Sequence, residues 1–86
     1  MYFSCRYSFI NPAQWEKPAA DLYRRTLDQI AWIDQAGFDR VTFAEHHFTP
    51  YNQLPSLLIA AAAAAVRTTR IRIGTNILVL PLHHPV

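Results

Sequence analysis

The chain opens on an alternation. Phe3, Cys5, Tyr7 and Phe9 take every second position, with Ser4, Arg6 and Ser8 between them, and that period of two predicts a strand. "INPAQWEKP" follows, with two prolines and an Asn-Pro step, and reads as a loop. From Ala19 to Ala36 the period lengthens. Tyr23, Leu27, Ile30, Ala31 and Asp34 recur at helical spacing, Leu22, Thr26 and Ile33 widen the face, and Asp21, Arg24, Arg25, Asp28 and Gln35 fill the remainder. This is an amphipathic helix, with Pro18 where a first turn tolerates proline and Gly37 where a helix can end in the left-handed region. Val41, Thr42 and Phe43 favour a second strand. "TPYNQLP" is a further loop, and Ser56 to Arg67, built mainly of leucine and alanine, predicts a second helix. "TTRIRIGTNILVLPL" predicts a third strand, with an apolar continuation to Leu80.

Single helices alternating with strands imply parallel strands, the opening of either a doubly wound sheet or an eight-stranded barrel. Gly37 and Gly74 are the only glycines, so no Gly-rich phosphate loop follows the first strand, which argues against a dinucleotide-binding fold. A complete (β/α)8 TIM barrel needs about 250 residues. The expected fold is therefore α/β, the N-terminal β-α-β-α-β part of such a barrel, with residues 1–86 a fragment of one domain. Unpaired strand edges lead us to expect that the isolated chain is not a stable monomer.

Composition narrows the function classes. The chain is 51% apolar and carries two net positive charges, a balance that implies no nucleic-acid or membrane partner. The most apolar run, Leu57 to Val66, falls well short of the ~20 residues of a membrane span. "MYFSCRYSF" lacks the layout of a secretory signal. Cys5 has no second cysteine to pair with, and cytoplasmic localisation is the expectation. Arg67, Arg70 and Arg72 cluster at the start of the third strand and read as a solvated rim, with no interleaved aromatics to suggest nucleic acid.

The candidate chemistry lies in "FAEHHFTP" (Phe43 to Pro50). Active sites of parallel barrels sit at the C-terminal ends of the strands. There the second strand brings Glu45, His46 and His47, and the third brings Asn76 and the "LHHP" of Leu82 to Pro85. Adjacent strand residues face opposite ways, so His46 and His47 are badly placed to share a metal ion, and so are His83 and His84. One imidazole of each pair could still converge with Glu45 on a metal, as a metal-dependent barrel hydrolase would require. Proton transfer suits imidazole better, since it titrates near neutral pH. One member of the first pair is then expected at the barrel mouth, ringed by Phe43, Phe48 and Leu80, and the other in a structural role. The alternative for all four is hydrogen bonding to loop backbone. Phe3, Tyr7 and Phe9 are expected in core packing rather than in a pocket floor.

"GFDRVTFAEHHF" followed by "PSLLIAAAAAAVRTTRIRIGTNILVLPLHHPV" resembles the luciferase-like monooxygenases, the bacterial luciferase family. The resemblance implies a barrel that takes reduced FMN from a separate flavin reductase, lets it react with oxygen, and oxygenates a small organic substrate such as an aldehyde. A sister branch uses the deazaflavin F420 for hydride transfer instead. By motif match His46 corresponds to the family's catalytic histidine. Glu45 and His47 are its neighbours at the cofactor, and Asn76 and Ile77 fall where the family has a non-proline cis peptide beneath the flavin ring. No metal is implied. The resemblance also implies a dimer, homo- or heteromeric, through the helix Ser56 to Arg67, whose small residues permit close approach on two sides. A truncated chain without activity of its own is the remaining alternative.

Overall fold

The computed structural model describes residues 1–85. Its elements run β1 (Ser4–Tyr7), α1 (Ala19–Gln35), β2 (Arg40–Phe43), α2 (Leu57–Ala65) and β3 (Arg72–Thr75), with single 3-10 turns at Ala13–Trp15 and Leu80–Leu82. The three strands form one sheet in the order β1-β2-β3. Both pairs are parallel, with Cys5 opposite Val41 opposite Ile73, and Tyr7 opposite Phe43 opposite Thr75.

The alternation of strand side chains divides the sheet into two faces. Val41 and Phe43, both fully buried, point to the helices, where Ile30 and Ile33 of α1 and Leu57, Ala60 and Ala64 of α2 complete the core. Cys5, Tyr7 and Ile73 pack against the same cluster. The opposite face carries Ser4, Arg6, Arg40, Thr42, Arg72 and Gly74, the face that lines the interior of a closed barrel. A side chain at Gly74 would meet Thr42 Cγ2 at 3.6 Å, so the two positions touch on that inner face.

Helix α1 has the expected stripe, with Thr26, Ile30, Ile33 and Asp34 buried. Gly37 ends it at φ +96°, and the amides of Gly37 and Phe38 donate to the carbonyls of Asp34 and Ile33. In α2 the alanines do two jobs. Ala60 and Ala64 let the helix lie close on the core, while Leu58, Ile59 and Val66 stand exposed on its outer side.

Asp34 is the helix's buried acid. Its carboxylate accepts the backbone N–H groups of Thr69 (2.8 Å), Arg70 (3.3 Å) and Ile71 (2.8 Å), together with the Thr69 hydroxyl (3.2 Å). These bonds, the Thr69 amide foremost, outweigh burial and hold the Asp34 pKa below the ordinary carboxylate value. They fix the entry to β3. Of the basic cluster beside it, Arg72 lies on the inner sheet face rather than on a solvated rim, and the two exposed members outside the sheet are engaged. Arg70 donates to the carbonyls of Asp34 (3.1 Å) and Phe38 (2.7 Å), and Arg67 pairs with Asp28 at 2.6 Å.

The third strand is shorter than its apolar pattern suggests. The ladder ends at Thr75, a cis peptide joins Asn76 to Ile77, and the chain continues into the turn at Leu80–Leu82. Hydrophobicity alone misplaced this boundary, because Asn76 makes one last bond to Phe43 of β2 and the residues after it bond to Glu45 instead of extending the ladder. The first two strands are likewise followed by ordered loops. Ile10 pairs antiparallel with Asn52, the Asn11 amide donates to Tyr51 O at 2.6 Å, and the Gln53 amide donates to Phe9 O at 3.1 Å. Buried Asn11 clasps Lys17 and Gln53, and the Tyr23 hydroxyl donates to Gln53 O at 2.6 Å. Phe9 reaches this arrangement at φ 51°, an uncommon conformation for a bulky residue, with its ring buried against Tyr23 and Phe43. Tyr7 and Phe9 are thus core residues, while Phe3 packs on Phe38 at the other end of the sheet.

Phe43→Ala should lower the unfolding free energy of the full-length protein by about 3–5 kcal/mol, because a fully buried ring is removed from a packed cluster. Exposed Gln29→Ala should change it by less than about 0.5 kcal/mol. Urea denaturation of both variants measures the contrast.

Candidate active site at the strand ends

Strand β2 delivers its last side chain, Phe43, into the core, and Ala44 is buried behind it. Phe43 therefore belongs to the helix-facing layer and is no part of a wall around the histidines. Phe48 and Leu80 are both exposed at this end, Phe48 at φ 56°. The histidine pair also lies past the end of the strand, so strand alternation does not govern it.

Glu45 is the centre of what the strand ends bring together. Its side chain has no solvent exposure. The backbone N–H of Val79 donates to Oε2 at 2.9 Å. His47 Nε2 lies 2.5 Å from Oε1, and His83 Nε2 lies 3.0 Å from Oε2 and 3.1 Å from Oε1. The backbone agrees with the side chains: the Glu45 amide donates to Ile77 O (3.4 Å), and the Asn76 amide donates to Phe43 O (2.7 Å). A single buried carboxylate thus joins the loop after β2 to the segment after β3, 34 and 38 residues further along the chain.

Burial acts to raise the Glu45 pKa, but the Val79 amide, His47 and His83 together outweigh it and bring the pKa down to about 2. The group is then a carboxylate at neutral pH and can only accept hydrogen bonds. Each imidazole that bonds to it must carry its proton on Nε2, which leaves Nδ1 as the basic atom of a neutral ring.

His46 stands apart from this network. Its backbone N–H donates to Leu54 O at 3.0 Å, and its half-buried side chain lines an open cleft with His47, Phe48, Thr49, Asn52, Gln53 and Pro55. Asn76 and Ile77 follow the end of β3, with the Ile77 side chain standing in the open. Glu45, His46, His47, Asn76 and Ile77 therefore share one end of the sheet, as their positions in the sequence imply. Within it, Glu45 is enclosed and the remaining four reach the surface to different degrees. His47 and His83 bond a carboxylate rather than loop backbone. One imidazole of each pair does converge with Glu45, but through hydrogen bonds, and among the described residues no group of three His, Cys, Asp or Glu side chains is arranged to hold a metal ion. That His83 rather than His84 is the member of the second pair on Glu45, and that it bonds the carboxylate directly, was not read from the sequence. The available signal was the need of a buried acid for donors, which the histidines beyond the third strand could supply.

Comparison with known proteins bears on what this site belongs to. The family model of the luciferase-like monooxygenases matches residues 6–86. An uncharacterised protein, y4vJ, of Sinorhizobium fredii is 41% identical over 80 residues, 91% of this chain and 23% of that protein. The 4-hydroxyprotoasukamycin monooxygenase of Streptomyces nodosus subsp. asukaensis is 38% identical over 80 residues, again 91% of this chain and 21% of the relative. In three dimensions the chain superposes with a TM-score of 0.86 on the oxygenating constituent of 3,6-diketocamphane monooxygenase from Pseudomonas putida, solved in complex with FMN. That match has 22% identity and covers 99% of this chain and 23% of the other, and it shows the shared fold: the three strands and two helices are the N-terminal part of a TIM barrel. The chain spans about a quarter of the length of these relatives. No helix among the described residues is long and apolar enough to cross a membrane.

The depressed Glu45 pKa has a pH signature. A carboxyl whose pKa falls from the ordinary 4.5 to about 2 on folding stabilises the fold fully above the higher value and loses that contribution as pH falls through the lower one. Asp34, also depressed, acts in the same direction. Stability of the full-length protein should therefore drop between about pH 4.5 and 2, and Glu45→Gln should make the drop shallower by removing one proton uptake site. Chemical denaturation across that range measures both slopes.

Proposed function

Since this chain belongs to the luciferase-like monooxygenase family, we propose that it forms the first strands of a flavin-dependent monooxygenase, which uses reduced FMN and O2 to oxygenate a small organic substrate such as an aldehyde. The observation that carries this reading is the gathering of Glu45, His46 and His47 with Asn76 and Ile77 just past the C-terminal ends of β2 and β3. Ile77 is 74% exposed there, an apolar surface of the kind that a planar isoalloxazine ring covers. Neighbouring Phe48 is fully exposed on the same side. These residues fit a flavin, and Asn76 and Ile77 would support its ring. When bound, the reduced flavin supplies the electrons that activate oxygen.

The chain's own residues then have distinct tasks. His46, on the open cleft, holds or delivers a proton at the reacting centre. The bond from its backbone N–H to Leu54 O fixes where the imidazole starts from. Phe48 and Leu80 help to keep water from the mouth. His47 assists from behind, held by Glu45. The reduced cofactor would come from a separate flavin reductase, and the setting is the cytoplasm. An FMN complex of a structural relative and the monooxygenase names among the sequence relatives support a flavin cofactor, and F420 is the alternative. The outer side of α2, with Leu58, Ile59 and Val66 exposed, supports the reading of this helix as a dimer contact.

Two experiments on the full-length protein test these assignments. Mixed anaerobically with reduced FMN and then exposed to oxygen, it should give a long-lived flavin absorbance distinct from oxidised FMN. His46→Ala should cut substrate oxygenation by about 100-fold or more with flavin affinity little changed. Tight F420 binding without reaction with oxygen would move the protein to the hydride-transferring branch. Mass measurement at micromolar concentration should give a dimer, and Ile59→Asp should shift it toward monomer, since a charge would then replace an exposed apolar contact.

A further inference from the structure

We propose that Glu45 is a positioning residue, which fixes the protonated nitrogen of two imidazoles and locks the cis-peptide segment against the loop that carries His46. The proposal rests on the flavin reading for its catalytic consequence and on geometry alone for its structural content. Glu45 joins the loop after β2 to the segment after β3 through side-chain hydrogen bonds to His47, Val79 and His83. It has no solvent exposure, and four contacts at 2.5–3.1 Å surround its two oxygens. A ligand has no route to an oxygen so enclosed, so Glu45 does not itself bind substrate or cofactor. Its effect must pass through His47 and His83, whose side chains are 27% and 29% exposed, His47 also lining the open cleft beside His46.

The arrangement resembles in logic a carboxylate behind a catalytic imidazole, where the acid selects a tautomer and an orientation without exchanging the proton itself. Here one acid serves two rings. Because a carboxylate offers no proton, both rings must present Nε2–H to it, and in both Nδ1 is the nitrogen turned away from the acid. The Val79 amide adds a third donor and ties the same acid to the backbone two residues past Ile77. Moving Glu45 would therefore disturb the proton-carrying face of His47 and the position of Asn76–Ile77 together.

The first measurement needs no variant and no flavin. Two-bond proton–nitrogen correlation spectra of the ligand-free full-length protein should show His47 and His83 protonated at Nε2 near neutral pH. Either ring protonated only at Nδ1 overturns the proposal. In Glu45→Gln the new amide group donates as well as accepts, so at least one of the two rings should change tautomer. The oxygenation rate should fall about 10- to 100-fold while the Kd for reduced FMN changes less than threefold. Unchanged tautomers and an unchanged rate in a folded variant would also overturn it. Should Glu45→Gln fail to fold, His83 carries the test. His83→Leu removes a donor and should slow oxygenation by about tenfold, and His83→Gln, which keeps an N–H donor, should recover most of that loss. Equal rates in all three proteins would refute the assignment. Correct tautomers in a protein that never binds flavin would support the role of Glu45 and defeat only the flavin reading.

Discussion

A carboxylate taken out of water has to be surrounded by donors, and this requirement fixes both ends of β3. Below the strand, Asp34 accepts three successive backbone amides, Thr69 to Ile71, and so determines where the chain turns into the sheet. Above it, Glu45 accepts Val79 and two imidazoles and so determines where the chain goes after leaving. Each acid is buried with its donors, since neither would be tolerable alone. The short parallel strand between them, four residues long, needs such anchors because it has only one neighbour in this part of the barrel.

The polar anchors and the apolar core meet at β2. Val41 and Phe43 hold the helices on one side, and the residues immediately after Phe43 hold the strand ends on the other. The alanines of α2 make this possible. Ala60 and Ala64 bring the helix close enough for Leu57 to be fully buried with Leu54, whose carbonyl in turn receives the amide of His46. Packing of the second helix and placement of the candidate proton carrier are therefore one structural fact.

Element order, the helical stripe from Leu22 to Asp34, the role of Gly37 and the rim position of the histidines were all legible in the sequence. Each depends on local periodicity or on a single backbone requirement. The family resemblance added Asn76–Ile77, which no periodicity indicates. What the sequence did not reveal depends on contacts across many residues. Ile77 to Leu80 read as strand because they are apolar, but the ladder ends at Thr75 and Glu45 captures Val79. Phe43 read as a wall of the site because it adjoins Glu45 and His46 in sequence, but strand alternation sends it into the core. The sequence allowed one imidazole of each pair to meet Glu45, but on a metal ion; that His83, 38 residues away, is the second one and bonds the acid directly was not legible.

The pairing of the first two loops has a bearing on how such a site can vary. Residues 9–11 and 51–53 are joined by one antiparallel bridge, Ile10 to Asn52, beside the cleft that His46 lines, and it is pinned by Asn11 and by the Tyr23 hydroxyl. Segments held in this way have already lost their conformational freedom on folding, so a ligand arriving beside His46 meets a frame that needs no further ordering. An insertion in either loop would break the bridge that both share. Changes in the molecules admitted to the mouth would therefore have to be made in other segments of the barrel, with this corner serving as the fixed reference against which they are measured.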